Sequence, residues 1–374
     1  MRVIQVSTWR DPRRRGAAEL LRAWTALGAV ARAAARAGAE VTVVHAGWRD
    51  EEVVDDGIRY RFVAEPSAVP HTVSRRLPRR LAAAVAAERP NVIHLQGLGF
   101  PLATRLLSAS GTPVLVQDHS GRPPAGWRRR LHRWGLARIA GAAFAAREQA
   151  RPFVHAGVLR PDLPVFEVQE STSEFTPGDV AQARRSTGIH GDPCLLWVGR
   201  LDANKDPLTV LDALAAAIPR IPGARLWMCH AEAPLEPAVR RRIASDPALA
   251  ERVHLLGRVP HERVQELCRA ADFLVLASHF EASCYAVLEA VACGAAPLVT
   301  DIPALRRMTR GGAVGGLFPP GDAAALARLM VEAAGWPRVE TRRAVRAHFD
   351  RHLSLDALGA ELAAAYAGVA GRGR

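Results

Sequence analysis

Short apolar runs alternate with alanine-rich helical stretches along this whole 374-residue chain. Runs of four to six residues that are apolar on both faces belong to strands covered from both sides. That is the pattern of parallel sheets with helices on each face. The sequence predicts strands at 3–6, 41–45, 58–63, 92–95, 114–117, 142–145 and 165–168. The rhythm then restarts at 194–198, 225–229, 253–256, 273–276 and 297–299. Between the first two strands lies a run of helix formers, 17–37, closed by Gly38 as a C-terminal cap. Further helices are expected at 207–218, 261–270 and 283–293. Between the two series, residues 170–179 are polar and turn-rich, and read as a linker. The chain is too long for one ordinary core. The expected fold class is α/β: two Rossmann-like doubly wound domains, 1–168 and 169–374, facing a central cleft, with the last helix packing back on the first. Ligands of such sheets bind outside the strand C-termini.

Arginine supplies 49 of the 50 basic residues, and the exception is Lys205. A GC-rich codon bias explains the missing lysines but not the remaining one. Lys205 follows the strand 194–198 and stands five residues after Arg200, in a glycine-containing loop that leads into a helix. Arginine is a planar fork for oxyanions and lysine a compact point charge, so the pair forms a candidate anion site. The remaining positive charge is uneven. Residues 1–168 hold 26 basic against 14 acidic side chains, a net +12, whereas 169–374 hold 24 against 23, a net +1. Clusters at 75–80 and 128–133 carry much of the excess. A solvated arginine-rich surface explains this as well as a basic face for an anionic acceptor or an anionic membrane does. No interleaved aromatics or binding module accompany the charge, so no nucleic-acid partner is expected.

No run of about 18 uncharged apolar residues points to a spanning helix. Residues 2–6 read as a strand rather than as a signal peptide. The five cysteines form no CxxC pair and lie mostly in apolar segments, as core residues of a reducing compartment do. The expected location is the cytoplasm, with peripheral attachment to the inner face of the membrane as an extension of the basic-face reading.

The second informative stretch is 278–294. Glu281 precedes the expected helix 283–293 and Glu289 lies in it, among Val287, Leu288 and Val291. A glutamate on an apolar side needs a partner. The helix start at Ser283, Cys284 and Tyr285 offers amides to a phosphate. With Arg200 and Lys205 on the same sheet edge, the set can hold a diphosphate between cations and amides. Glu281 then stands near whatever hangs from the phosphate, and Glu289 near a ribose. The bland alternative is a helix cap plus a surface glutamate.

The runs VGRLDANKDPLTVLDA, LLGRVPHERVQELCRAADFLVLAS, FEASCYAVLEAVACGAAPLVTD and GGLFPPGDAAAL resemble the C-terminal domain of retaining glycosyltransferases of family four, with the GT-B arrangement. The resemblance covers 194–330 well and the first half loosely. It implies that Arg200 and Lys205 bind the donor diphosphate, Glu281 the donor sugar and Glu289 the ribose. It places Arg258, Val259 and Pro260 against the base, and makes His119, at a strand end, the histidine at the reaction centre. His94, also near a strand end, reads as structural. Two departures stand out. The loop 7–16 has a single late glycine and several arginines, which are expected to replace backbone donors or to shape the acceptor pocket. The turn after Glu281 is Ala282-Ser283-Cys284 rather than glycine-rich. The glycines at 311–312 and 315–316 read as turns.

The resemblance implies transfer of a sugar from a nucleoside-diphosphate sugar, UDP favoured and GDP open, with retention. The acceptor is a glycan, a lipid-linked molecule or a small molecule. No cofactor is expected, and no Asp-x-Asp or ligand spacing suggests a metal. A sugar-nucleotide epimerase and a non-catalytic nucleotide-sugar sensor are the alternatives.

Overall fold

The computed structural model describes residues 1–66, 77–119 and 121–371. The described chain divides into two compact units: Met1–Thr172 with Leu355–Arg374, and Ser173–Ser354. The division therefore stands four residues beyond the expected 168/169, and the C-terminal residues count with the first unit. The run Arg338–Ala370 has the length and apolarity of a membrane-crossing helix by composition alone. It divides into Arg338–His352 and Leu355–Ala370. The second of these buries Leu358, Leu362, Tyr366 and Val369 against the Val3, Val92 and Leu115 side of the first sheet. Burial of that stripe sets its place.

In the first unit the strands are β1 (Arg2–Ser7), β2 (Glu40–Gly47), β3 (Glu51–Asp55), β4 (Ile58–Ala64), β5 (Val92–Gln96), β6 (Val114–Gln117), β7 (Gly141–Phe144) and β8 (Val165–Glu167). They form one sheet in the order β3-β4-β2-β1-β5-β6-β7-β8. Every pairing is parallel except β3 with β4. β3 was not expected: Glu-Glu-Val-Val-Asp sits on an exposed edge, so no apolar run announces it. The helical run 17–37 is broken into Ala17–Ala23 and Thr25–Arg36 at Trp24, whose ring packs edge-on against Trp9 and His45.

The second unit holds β9 (Cys194–Gly199), β10 (Arg225–His230), β11 (Val253–Gly257), β12 (Phe273–Leu276), β13 (Ala296–Thr300) and β14 (Gly316–Phe318). All pairings are parallel, in the order β11-β10-β9-β12-β13-β14. Gly316 thus belongs to a short strand rather than a turn. The sheet reverses its order at β9 and β12, where Phe273 and Leu274 face Leu195 and Leu196. The loops after β9 and β12 diverge at this switch point, and a crevice forms there. Their strands are rigid anchors, because Leu195, Leu196, Trp197, Leu274, Val275 and Leu276 are wholly buried.

Candidate functional site

Two loops meet at the switch point of the second sheet. The first, after β9, carries Arg200 and Lys205. It is closed by Asp202, whose Oδ1 accepts the Lys205 amide at 2.9 Å. Asp206 then caps the helix Pro207–Ala217 and takes a left-handed backbone, φ 42°. The second loop, after β12, carries Glu281. The His279 amide donates to the Asn204 carbonyl at 2.8 Å, and Asn204 Nδ2 donates to the Phe280 carbonyl at 2.9 Å. These bonds stitch the cation loop to the glutamate loop. Asn204 is a positioning residue that the sequence did not single out; its signal was its place between the two cations.

The result is a cavity of about 450 Å³, lined among others by Arg200, Lys205, Arg258, Val259, Glu281 and Glu289. Ser283, Cys284 and Tyr285 line it too. Pro260 does not line it; it occupies the N-cap position of the helix His261–Ala270. The helix expected from Ser283 starts at Tyr285, with Cys284 as its N-cap. Its first-turn amides are therefore those of Tyr285, Ala286 and Val287, two residues later than expected. A β-extended Cys284, φ −129°, delays the first turn. Ser283 keeps a role as a buried hydroxyl without a hydrogen-bond partner. His230, at the end of β10, also lines the cavity and has an unpartnered Nε2. Both are orphans that a ligand can satisfy.

Lys205 and Glu281 form an ion pair with only 14% and 9% of their side chains exposed. Burial opposes charging of Lys205, but Cys284 and Glu281 outweigh it and raise its pKa. Burial holds the Cys284 thiol near 12, so at neutral pH Glu281 is the partner that counts. Arg200 is different. It is half exposed and loosely held, 3.2 Å from Asp202 and 3.9 Å from Glu232. One cation is thus nearly buried against a carboxylate and the other stands half in solvent. Among the described residues no group of three His, Cys, Asp or Glu is placed to hold a metal.

Glu289 Oε1 lies 2.6 Å from His261 Nε2, a partner that the sequence reading missed. The Glu289 contact raises the His261 pKa, against a smaller effect of burial. A ribose that needs Glu289 must compete with this contact. As pH rises through the raised pKa, His261 loses its charge and its hold on the carboxylate weakens. If the ribose of a nucleoside-diphosphate sugar takes Glu289, that ligand should bind a few-fold tighter as pH climbs above about 6.5, an effect kept small by the exposure of His261. Calorimetry across pH should show this slope in the native chain and a flat line in His261→Ala; a flat native profile would remove Glu289 from the ribose subsite.

His119 belongs to the first unit. Its Nδ1 is 3.2 Å from Glu170 and its Nε2 is 2.6 Å from Gln96 Oε1. Burial disfavours its charge, but the hydrogen bond and charge of Glu170, with Asp118, outweigh that and raise its pKa. His94 is wholly buried beside Tyr366, 2.9 Å away, and burial followed by the charge of His119 brings it down to about 3. In the loop after β1, Arg15 is tied to the buried Asp11, whose pKa the Arg15 hydrogen bonds lower to about 2. Arg10 and Arg14 stack on Trp48 at 3.7 and 4.2 Å. These arginines are built into the loop itself instead of standing open as spare donors. Of the basic cluster 75–80, residues 75 and 76 lie outside the described residues; Arg80 pairs with Asp50.

Residues 192–334 match the family described as Glycosyl transferases group 1, and residues 23–156 match Glycosyltransferase Family 4. A D-inositol 3-phosphate glycosyltransferase of Nocardia farcinica is 31% identical over 45% of this chain and 39% of its own length. The GDP-mannose:cellobiosyl-diphosphopolyprenol alpha-mannosyltransferase of Xanthomonas campestris is 28% identical over 63% of this chain and 62% of its own. The chain thus spans less than two thirds of these relatives. In fold it is similar to the Anabaena protein HepE solved with UDP, with a TM-score of 0.68 at 16% identity, over 98% of this chain and all of that one.

Proposed function

This chain belongs to family four of the glycosyltransferases, with the two α/β domains of the GT-B fold, and from that premise we propose that it transfers a sugar from a nucleoside-diphosphate sugar with retention. The observation that carries the reading is the cavity at the β9/β12 switch point, where Lys205 is paired to Glu281 and the half-exposed Arg200 lines the wall. The diphosphate takes Lys205 and Arg200 as counter-ions, and the first-turn amides of Tyr285 and Ala286 as donors. Glu281 then faces the donor sugar, Glu289 the ribose, and Arg258 with Val259 the base.

As the bond from the anomeric carbon to the diphosphate oxygen breaks, charge grows on the leaving group. A cation held in place by the fold, as Lys205 is, stabilises that charge more than it stabilises the ground state. The acceptor oxygen forms its bond on the same face, and its proton passes to the departing phosphate. For His119 the family resemblance implies a hydrogen bond to the donor sugar, for which its Nε2 has to exchange Gln96 Oε1 for the ligand.

A UDP-sugar is the first donor to try, because the HepE structure holds UDP; the Xanthomonas name makes GDP-mannose the second. The relatives' names contain an inositol phosphate and a diphosphopolyprenol. With the +12 of residues 1–168, they support an anionic or lipid-linked acceptor, reached from the cytoplasm. A thermal-shift panel of UDP-, GDP- and ADP-sugars tests the donor, since bound ligand stabilises by occupancy. The anomeric configuration of the product, read by NMR, tests retention. An epimer formed from donor alone would replace transfer with epimerisation, and binding without turnover would leave a sensor. If the two cations meet the leaving-group charge, EDTA leaves the rate unchanged; a loss restored by Mg²⁺ or Mn²⁺ would remove the metal-independent reading.

A further inference from the structure

We propose that the outer face of the helix Gly126–Leu136 docks the protein on an anionic lipid bilayer. The proposal deepens the lipid-linked reading by assigning the membrane contact to one surface. From position 119 to 147 the chain has seven arginines and no acidic residue. The helix turns His132, Gly135 and Leu136 inward. Its other face leaves Trp127 and Trp134 at 64% and 47% exposure, among the largest exposed apolar side chains of the described residues.

Trp127, Arg130 and Trp134 recur at i, i+3 and i+7, one stripe along the helix, and Arg138 follows just beyond its end. The two indoles are seven residues apart, about 10 Å along the axis and on nearly the same side. Arg128, Arg129 and Arg133 flank the stripe, and all are exposed. Arg105, from the neighbouring helix Pro101–Ser108, lies 5.0 Å over the Trp134 ring.

Arg128 and Arg105 stand over the Trp127 and Trp134 rings and still leave them 64% and 47% exposed. An anionic bilayer accounts for both features. Indoles settle at the headgroup level, apolar body inward and N–H wet. Guanidiniums bind the surrounding phosphates. A soluble polyanion would use the arginines but leave the indoles unburied.

Sedimentation with phosphatidylglycerol/phosphatidylcholine vesicles, without donor or acceptor, tests this separately from the transferase reading. Each neutralised arginine near the surface should cost about five-fold in binding, so R129Q/R130Q/R133Q should lose on the order of 10²-fold. W127A/W134A should lose roughly 10-fold. Brominated lipid should quench tryptophan emission of the native protein and fail to do so in W127F/W134F. The control R185Q/R328Q/R343Q, at exposed sites of the second unit, should bind as the native chain does. All variants should keep native thermal shifts with the donor. Equal losses in the control, or native binding by the helix variants, would overturn the proposal. Unaltered binding by W127A/W134A, together with equally tight binding to a short RNA, would replace the membrane with a soluble polyanion.

Discussion

Replacing Arg200 or Lys205 by alanine is expected to lower the transfer rate about 10²–10³-fold, the usual loss when one preorganised donor to a developing oxyanion is removed. The two should differ in stability. Arg200 is half exposed and its ion pairs stand in solvent, so its loss should cost no more than about 0.5 kcal/mol. Lys205 is nearly buried and its removal leaves Glu281 without its cation in a partly dry wall. Because the cavity admits water, that cost should be roughly 1–3 kcal/mol rather than the larger figure for a sealed pair. The double variant K205M/E281Q separates the roles. With neutral side chains of similar shape it should recover most of the stability and none of the rate. Rates should be read with a saturating donor and stability by urea unfolding. Native rates in both single variants would remove the diphosphate assignment; a double variant with restored rate would show that Lys205 acts only as a structural partner of Glu281.

The second large effect is on stability. Gly315 has φ +85°, and a Cβ there would run into the carbonyl oxygen of Pro297, in β13. Neither the left-handed backbone nor the close approach tolerates a methyl group. Gly315→Ala should therefore cost roughly 2–5 kcal/mol, the sum of a left-handed penalty and overpacking. Gly311 has φ +68° but open space around it, so Gly311→Ala should cost only about 1 kcal/mol. A thermal melt should separate the two by several degrees, at about 2–4 °C per kcal/mol for a unit of this size. Equal melting shifts would mean that the approach to Pro297 relaxes freely.

Most strands could be located in the sequence because they are buried on both faces and carry unbroken apolar runs. β3 was not, since an exposed edge permits charges, and β14 was not, since three residues led by a glycine look like a turn. The site was legible where chemistry is tied to spacing: Arg200, Lys205, Glu281 and Glu289 fall on two loops and one helix of an alternating α/β pattern. Asn204, Glu170, Gln96 and His261 were not legible. Their roles come from what stands opposite them, across separations of 23 to 76 residues, and periodicity carries no signal of that kind.

The sequence by itself determined the alternating architecture, the cation and carboxylate types of the site, and the excess of positive charge in the first half. Tertiary structure decided which partner each charge takes. It fixed Lys205 on Glu281 and left Arg200 half exposed beside Asp202, gave Glu289 to His261, and tied Arg15 to Asp11. It also started the helix after Glu281 two residues late and turned Trp127 and Trp134 outward. Local propensity and burial pattern act over a few residues and can be read along the chain. Pairing of charges depends on the direction in which loops leave a sheet, which is settled only when the strands take their order.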